Sequence, residues 1–167
     1  MSRSSGSGPI EWPADVVALF RDRRAEMVRL AHLITGSNPV AEEIVQEAFL
    51  RLREHWPTID PSLDGHNPGG YLRTIVVNAA RSHLRRVDVE RRYAPALADR
   101  GTTTGDPELD ETWAAVCRLS ERQRAVLALR FYEDLSEVEI ARILGCPVGT
   151  VKSSVRRGLL RLRRELS

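Results

Sequence analysis

Apolar residues recur at three- and four-residue intervals along nearly the whole 167-residue chain, and no stretch alternates as a half-buried strand does. That spacing commits the chain to an all-α fold. A first helix is expected from Ala14 to about Thr35, turning Val16, Phe20, Met27, Leu30, Ala31 and Ile34 inward, with Gly36 as its stop. Asn38-Pro39 then serves as cap and first helical residue of a second helix, running to about His55 with Ile44, Val45, Ala48, Phe49 and Leu52 on its apolar face. Residues 57–70 carry Pro57, Pro61, Pro68, Asp64-Gly65, Asn67 and Gly69-Gly70 and read as a loop. A third helix follows from Tyr71 to about Arg92, burying Leu72, Ile75, Val76, Ala79 and Leu84.

The text then changes. Ala94-Pro95 and the run Arg100-Gly-Thr-Thr-Thr-Gly105 read as a flexible linker, so two small helical domains are expected: residues 13–92 and 108–167, joined by 93–107 and preceded by a disordered Ser/Gly tail over 1–12. Four helices are expected in the second domain. Asp106-Pro107 opens one bearing Trp113, Val116 and Cys117. Ser120-Glu-Arg-Gln123 is a capping box ahead of Val126, Leu127 and Phe131, all read as inward-facing. Ser136-Glu-Val-Glu139 is a second capping box, and after Gly145-Cys-Pro147 a long basic helix runs from about Val148 to Leu166.

Charge distribution narrows the function more than the net +2 does. Residues 145–167 hold six basic side chains against one acidic, and residues 71–92 hold six Arg against Asp88 and Glu90. Between them, residues 93–113 hold five acids against Arg100. Two basic blocks around an acidic spacer point to two separate contacts with a polyanion. The two cysteines, Cys117 and Cys146, form neither a CxxC nor a His/Cys cluster, so no metal or cofactor is expected and both read as small core residues. His32, His55, His66 and His83 are scattered, and no nucleophile–base grouping or phosphate loop is present, which argues against an enzyme. No apolar run approaches a membrane span and the tail lacks a hydrophobic signal core, so a cytoplasmic protein without membrane insertion is expected.

Two helices joined by a tight Gly-containing turn, the second rich in Arg and Lys, form the pattern of a helix-turn-helix. Ala141 is small where the helices cross, and Gly145 permits the left-handed backbone that ends the first of them. Val151, Val155, Leu159 and Leu162 are expected to form the inward stripe, turning Lys152, Ser153, Ser154, Arg156 and Arg157 outward toward base edges or phosphates in a major groove. Arg161, Arg163 and Arg164 are better placed for backbone phosphates.

The segment from Leu135 to Ser154 closely resembles the promoter-reading helix-turn-helix of extracytoplasmic-function sigma factors, group IV of the sigma-70 family, in an actinobacterial SigE-like form. Ala41-Glu-Glu-Ile-Val-Gln-Glu-Ala-Phe-Leu50 resembles that family's helix for docking on RNA polymerase, and Tyr71 to Arg86 resembles its minus-ten segment. The resemblance covers residues 14–92 and 108–166. It implies that Glu43, Gln46 and Glu47 bind the polymerase core, that Tyr71 and Asn78 meet the minus-ten element with Asn78 at a flipped base, and that Arg81, Arg85 and Arg86 follow the strand. It likewise implies that Thr150, Lys152, Ser153, Ser154, Arg156 and Arg157 meet the minus-thirty-five element, and it makes an anti-sigma protein a candidate partner. Tyr71 stands where the family often carries Trp, which implies weaker unaided melting. Ser154 stands where it often carries Arg, which implies a weaker contact there. Two rival readings are a stand-alone helix-turn-helix regulator, which would bind an operator tightly without polymerase, and an enzyme.

Overall fold

A computed structural model describes residues 11–59, 67–93 and 107–167, with the backbone alone for 107–110. Of the expected tail, linker and acidic run, residues 1–10 and 94–106 lie outside the described residues, as does the middle of the expected loop over 60–66. Among the described residues every regular element is helical.

Three helices form the N-terminal bundle: α1 (Ala14–Thr35), α2 (Asn38–His55) and α3 (Pro68–Tyr93), with a short 3₁₀ turn at Trp56–Thr58. Gly36 ends α1 with φ 77°, a left-handed conformation that glycine adopts without a Cβ penalty, and its N–H closes on the His32 carbonyl at 2.8 Å. The cap of α2 is Ser37 rather than Asn38: its Oγ accepts the Val40 N–H, which leaves Asn38 and Pro39 inside the first turn. The third helix likewise begins three residues earlier than the Gly-Gly pair suggests. Asn67 Oδ1 accepts the Gly69 N–H at 2.9 Å and Pro68 takes the first helical position, where a missing N–H costs nothing. Met27, Leu30 and Ile34 of α1 meet Val45, Phe49 and Leu52 of α2 and Leu72, Val76 and Val77 of α3, all essentially solvent-free. Each such side chain contributes about 1.5–3 kcal/mol by leaving water. Phe20, expected inside, lies at the rim with its ring edge-on to Phe49 at 4.9 Å.

The C-terminal half comprises α4 (Pro107–Cys117), α5 (Glu121–Leu127), a π turn at Ala128–Tyr132, α6 (Glu137–Leu144) and α7 (Val148–Glu165). Both capping boxes form, Ser120 with Gln123 and Ser136 with Glu139. The π turn is the departure from the sequence reading. Glu133 donates its N–H to the Ala128 carbonyl five residues back, so one extra residue enters the turn. Leu129 stays in the core while Phe131, expected to be buried, is rotated out to 64% exposure.

The two halves are packed together. α5 lies against α1 and α3, the π turn lies against α1, and α6 touches α3. One continuous apolar cluster runs from Met27 and Val77 to Leu129, Ile140 and Val151.

Candidate nucleic-acid interface

The geometry of the C-terminal basic block follows from the turn that aims it. Gly145, at φ 60°, ends α6 and the Cys146 N–H returns to the Ala141 carbonyl at 3.1 Å. Pro147 then starts α7, and the fully buried Val151 anchors it. Lys152, Arg156 and Arg157 are exposed, with Thr150 and Ser153 half-buried beside them. Lys152 Nζ stands 3.7 Å from Glu137 Oε2, a surface pair that holds it only weakly. Arg157 donates from Nε to the Ser153 carbonyl at 3.2 Å and from Nη2 to Ser153 Oγ at 3.1 Å.

Ser154 is not on this face. It is 3% exposed, beside Ser120 and Gln123 at the start of α5, which corrects the outward placement read from the sequence. The reason is helix spacing. The inward line runs through Val151, Ser154 and Gly158 instead of Leu159, which is 43% exposed. A Cβ on Gly158 would stand 3.1 Å from Leu127 Cδ1, so α5 and α7 approach closely through small residues.

On α3, Asn78, Arg85 and Arg86 are exposed and Tyr71 is half-buried with its ring 6.1 Å from that of His55. Burial, and then the neighbouring Arg86 charge, hold His83 below the ordinary imidazole range. Arg81 differs from the other arginines read as strand contacts. It is 6% exposed and grips Glu121 of α5 with both arms of its fork, Nε to Oε2 at 2.6 Å and Nη2 to Oε1 at 3.3 Å. On α2, Glu43, Gln46 and Glu47 all point to solvent, opposite Val45, Ala48 and Phe49, and Glu47 accepts from Arg51 Nε at 3.2 Å.

The arrangement presents a basic helix after a helix-turn-helix, an exposed amide with flanking arginines, and an acidic helix face. Among the described residues no three His, Cys, Asp or Glu gather to hold a metal, and no helix is long and apolar enough to cross a membrane.

Residues 19–89 match the family model for sigma-70 region 2, and residues 109–162 match that for sigma-70 region 4. The ECF RNA polymerase sigma factor SigL of Mycobacterium tuberculosis is 34% identical over 98% of this chain and 94% of its own length. The chain belongs to the ECF sigma factors of the sigma-70 family. The ECF sigma factor SigW of Bacillus subtilis is 30% identical over 92% of this chain and 88% of its own, and the sigma-E factor of Streptomyces coelicolor 31% identical over 87% and 82%. The fold of this ECF sigma factor is also that of the sigma factor RpoE solved in complex with the anti-sigma factor NepR from Bartonella quintana, with TM-score 0.72 and 23% identity over 92% of this chain and 98% of that one.

Sequence reading missed four side chains that shape this ECF sigma factor: Glu121, Glu133, Arg73 and Arg124. Glu121 is visible locally as an acid in the first turn of a capped helix, but nothing local pairs it with Arg81, 40 residues away. Arg124 looks like one more surface base, yet it is 8% exposed and donates to the Ile34 carbonyl at 2.7 Å and the Cys117 carbonyl at 2.5 Å.

Proposed function

We propose that this chain is the subunit that brings RNA polymerase to a set of promoters and helps open them. In this reading Glu43, Gln46 and Glu47 dock α2 on a basic groove of the core enzyme. Tyr71, Asn78, Arg81, Arg85 and Arg86 of α3 receive the opened minus-ten strand, with the Asn78 amide hydrogen-bonding a base edge. Thr150, Lys152, Ser153, Arg156 and Arg157 of α7 grip the minus-thirty-five duplex, and Ser154 supports that helix from inside. The observation that carries the reading is the presence of both sigma-70 regions, in order, on one chain, and the exposure of Glu43, Glu47, Arg85, Arg86, Lys152, Arg156 and Arg157 supports it. Tethering two grips raises the local concentration of each once the other is bound. The acidic linker would lie near the active site or RNA exit path of polymerase, and the work is done in the cytoplasm without bond chemistry by this chain. The shared fold with a sigma factor solved on an anti-sigma factor supports a partner of that kind here. Similarity to the Streptomyces coelicolor sigma-E factor supports placement with actinobacterial SigE-like members.

The deciding experiment is transcription in vitro with this chain, core polymerase free of other sigma factors, and a genomic promoter library. Promoter-specific transcripts are expected. Glu43→Lys should abolish core binding and spare duplex binding, while Arg157→Ala should weaken promoter use by about tenfold and spare core binding. No transcripts from the wild-type chain beside an active control factor would overturn the assignment.

A further inference from the structure

Ser153 lies one helical turn before Arg157 on α7, and the two residues are already bonded to each other. The Arg157 guanidinium donates from Nε to the Ser153 carbonyl at 3.2 Å and from Nη2 to Ser153 Oγ at 3.1 Å. Ser153 Oγ in turn donates its one hydrogen to the Thr150 carbonyl at 3.1 Å, which fixes the hydroxyl that receives Arg157. A serine hydroxyl carries one hydrogen and two lone pairs. This one has no hydrogen left for a phosphate or for the O6/N7 edge of guanine, both of which only accept. Arg157 is in the opposite position. Of its five N–H groups two are spent on Ser153, and three remain, among them the parallel pair at the Nη1–Nη2 tip. The side chain is exposed and borders an open cleft of about 280 Å³, lined also by Ser120, Glu121, Arg122, Gln123 and Ser154. Of these, Glu121 is bonded to Arg81, and Arg122 adds a second exposed cation.

We infer that Ser153 is a positioning residue, which sets the Arg157 guanidinium so that its Nη1–Nη2 tip meets a bidentate acceptor of the promoter duplex without Ser153 itself donating to the DNA. This rests on the reading of α7 as the minus-thirty-five grip. Two parts of a duplex offer that acceptor chemistry, the oxygen pair of a backbone phosphate and the O6/N7 edge of guanine. An arginine that samples many rotamers must be ordered at the moment of contact, and that ordering subtracts from the binding free energy. An arginine tied along its own helix is ordered beforehand and loses less. Arg156 is equally exposed on the same helix but takes no part in the Ser153 contacts, so the two neighbouring arginines depend on Ser153 differently.

The test reconstitutes polymerase with each full-length variant and titrates fluorescein-labelled duplexes of the promoters recovered by transcription in vitro, at several salt concentrations. Ser153→Ala should weaken binding by about three- to tenfold, the effect of having to order one long side chain. Its salt slope should match the wild type, because no charge is lost. Ser153→Thr keeps a hydroxyl that bonds a carbonyl one turn back and should restore most of the loss. In an Arg157→Ala background Ser153→Ala should cost nothing further, whereas in an Arg156→Ala background it should cost its full amount. On duplexes cut short of the minus-thirty-five element all variants should bind alike. The source of the acceptor separates in the Arg157→Ala chain. A phosphate gives equal losses on every promoter and a salt slope smaller by about 1, and a guanine gives a loss confined to promoters with G·C at one position. Additive losses from Ser153→Ala and Arg157→Ala would show Ser153 touching DNA directly and would overturn the proposal. So would a Ser153→Ala chain as tight as the wild type, or a Ser153→Thr chain as weak as Ser153→Ala. Promoter-specific transcription by the wild type beside such a failed series removes only the positioning role, whereas a wild type without transcripts removes the sigma reading itself.

Discussion

His32 shows how a single side chain ties this protein to solution conditions. Desolvation between α1 and α4, where it stacks on Trp113, holds its pKa below the ordinary imidazole range. The folded chain thus disfavours the protonated ring. The stability it contributes is complete above the unfolded imidazole pKa of about 6.5 and is lost as pH falls from there toward the folded value. Glu133 acts in the opposite sense. Burial raises its carboxyl pKa despite Arg73, so its contribution is complete below about 4.5 and is lost as pH rises through the raised value. Urea midpoints should therefore fall between pH 7.5 and 5.5. His32→Phe should flatten that slope and Glu133→Gln should steepen it. Identical slopes in all three chains would refute this account. Neither residue advertised such a role in the sequence, where His32 was one of four scattered histidines and Glu133 an ordinary acid before a turn. Both acquire it from burial in the folded chain, and the partner that opposes the shift of Glu133, Arg73, lies 60 residues away.

Individual elements were far more legible. The two Ser-initiated capping boxes and the Gly36 and Gly145 stops all stand where local chemistry put them, because each depends on neighbours within five residues. The apolar stripe of α7 was legible only in part. A count of large apolar residues favours Leu159 over Gly158, yet the α5–α7 approach selects the smallest side chains, and Ser154 and Gly158 win the inward line. Gly158→Val should therefore force Leu127 and Gln123 apart, destabilise the C-terminal half by about 1–3 kcal/mol and weaken duplex binding. Core-polymerase binding should persist. Chemical denaturation and a duplex-binding titration would check this, and a variant as stable as the wild type would show that α5 yields at no cost.

For the whole molecule, the contact that most directly joins the bundles is the buried Arg124 guanidinium. Removing it leaves the Ile34 and Cys117 carbonyls without their donor. Arg124→Ala should lower unfolding free energy by about 1.5–3 kcal/mol, the range for hydrogen bonds from a charged donor. Amide exchange through the last turn of α1 should accelerate; unchanged exchange there would mean that Arg124 joins nothing. The π turn at Ala128–Tyr132 has a consequence at this same scale. A helix advances about 100° per residue, so the additional residue acts as a gear tooth between α5, seated on the N-terminal bundle, and the basic helix α7 beyond it. A chain one residue shorter at that point could keep every helix and both capping boxes, and still aim its basic face about a quarter-turn away from its present direction.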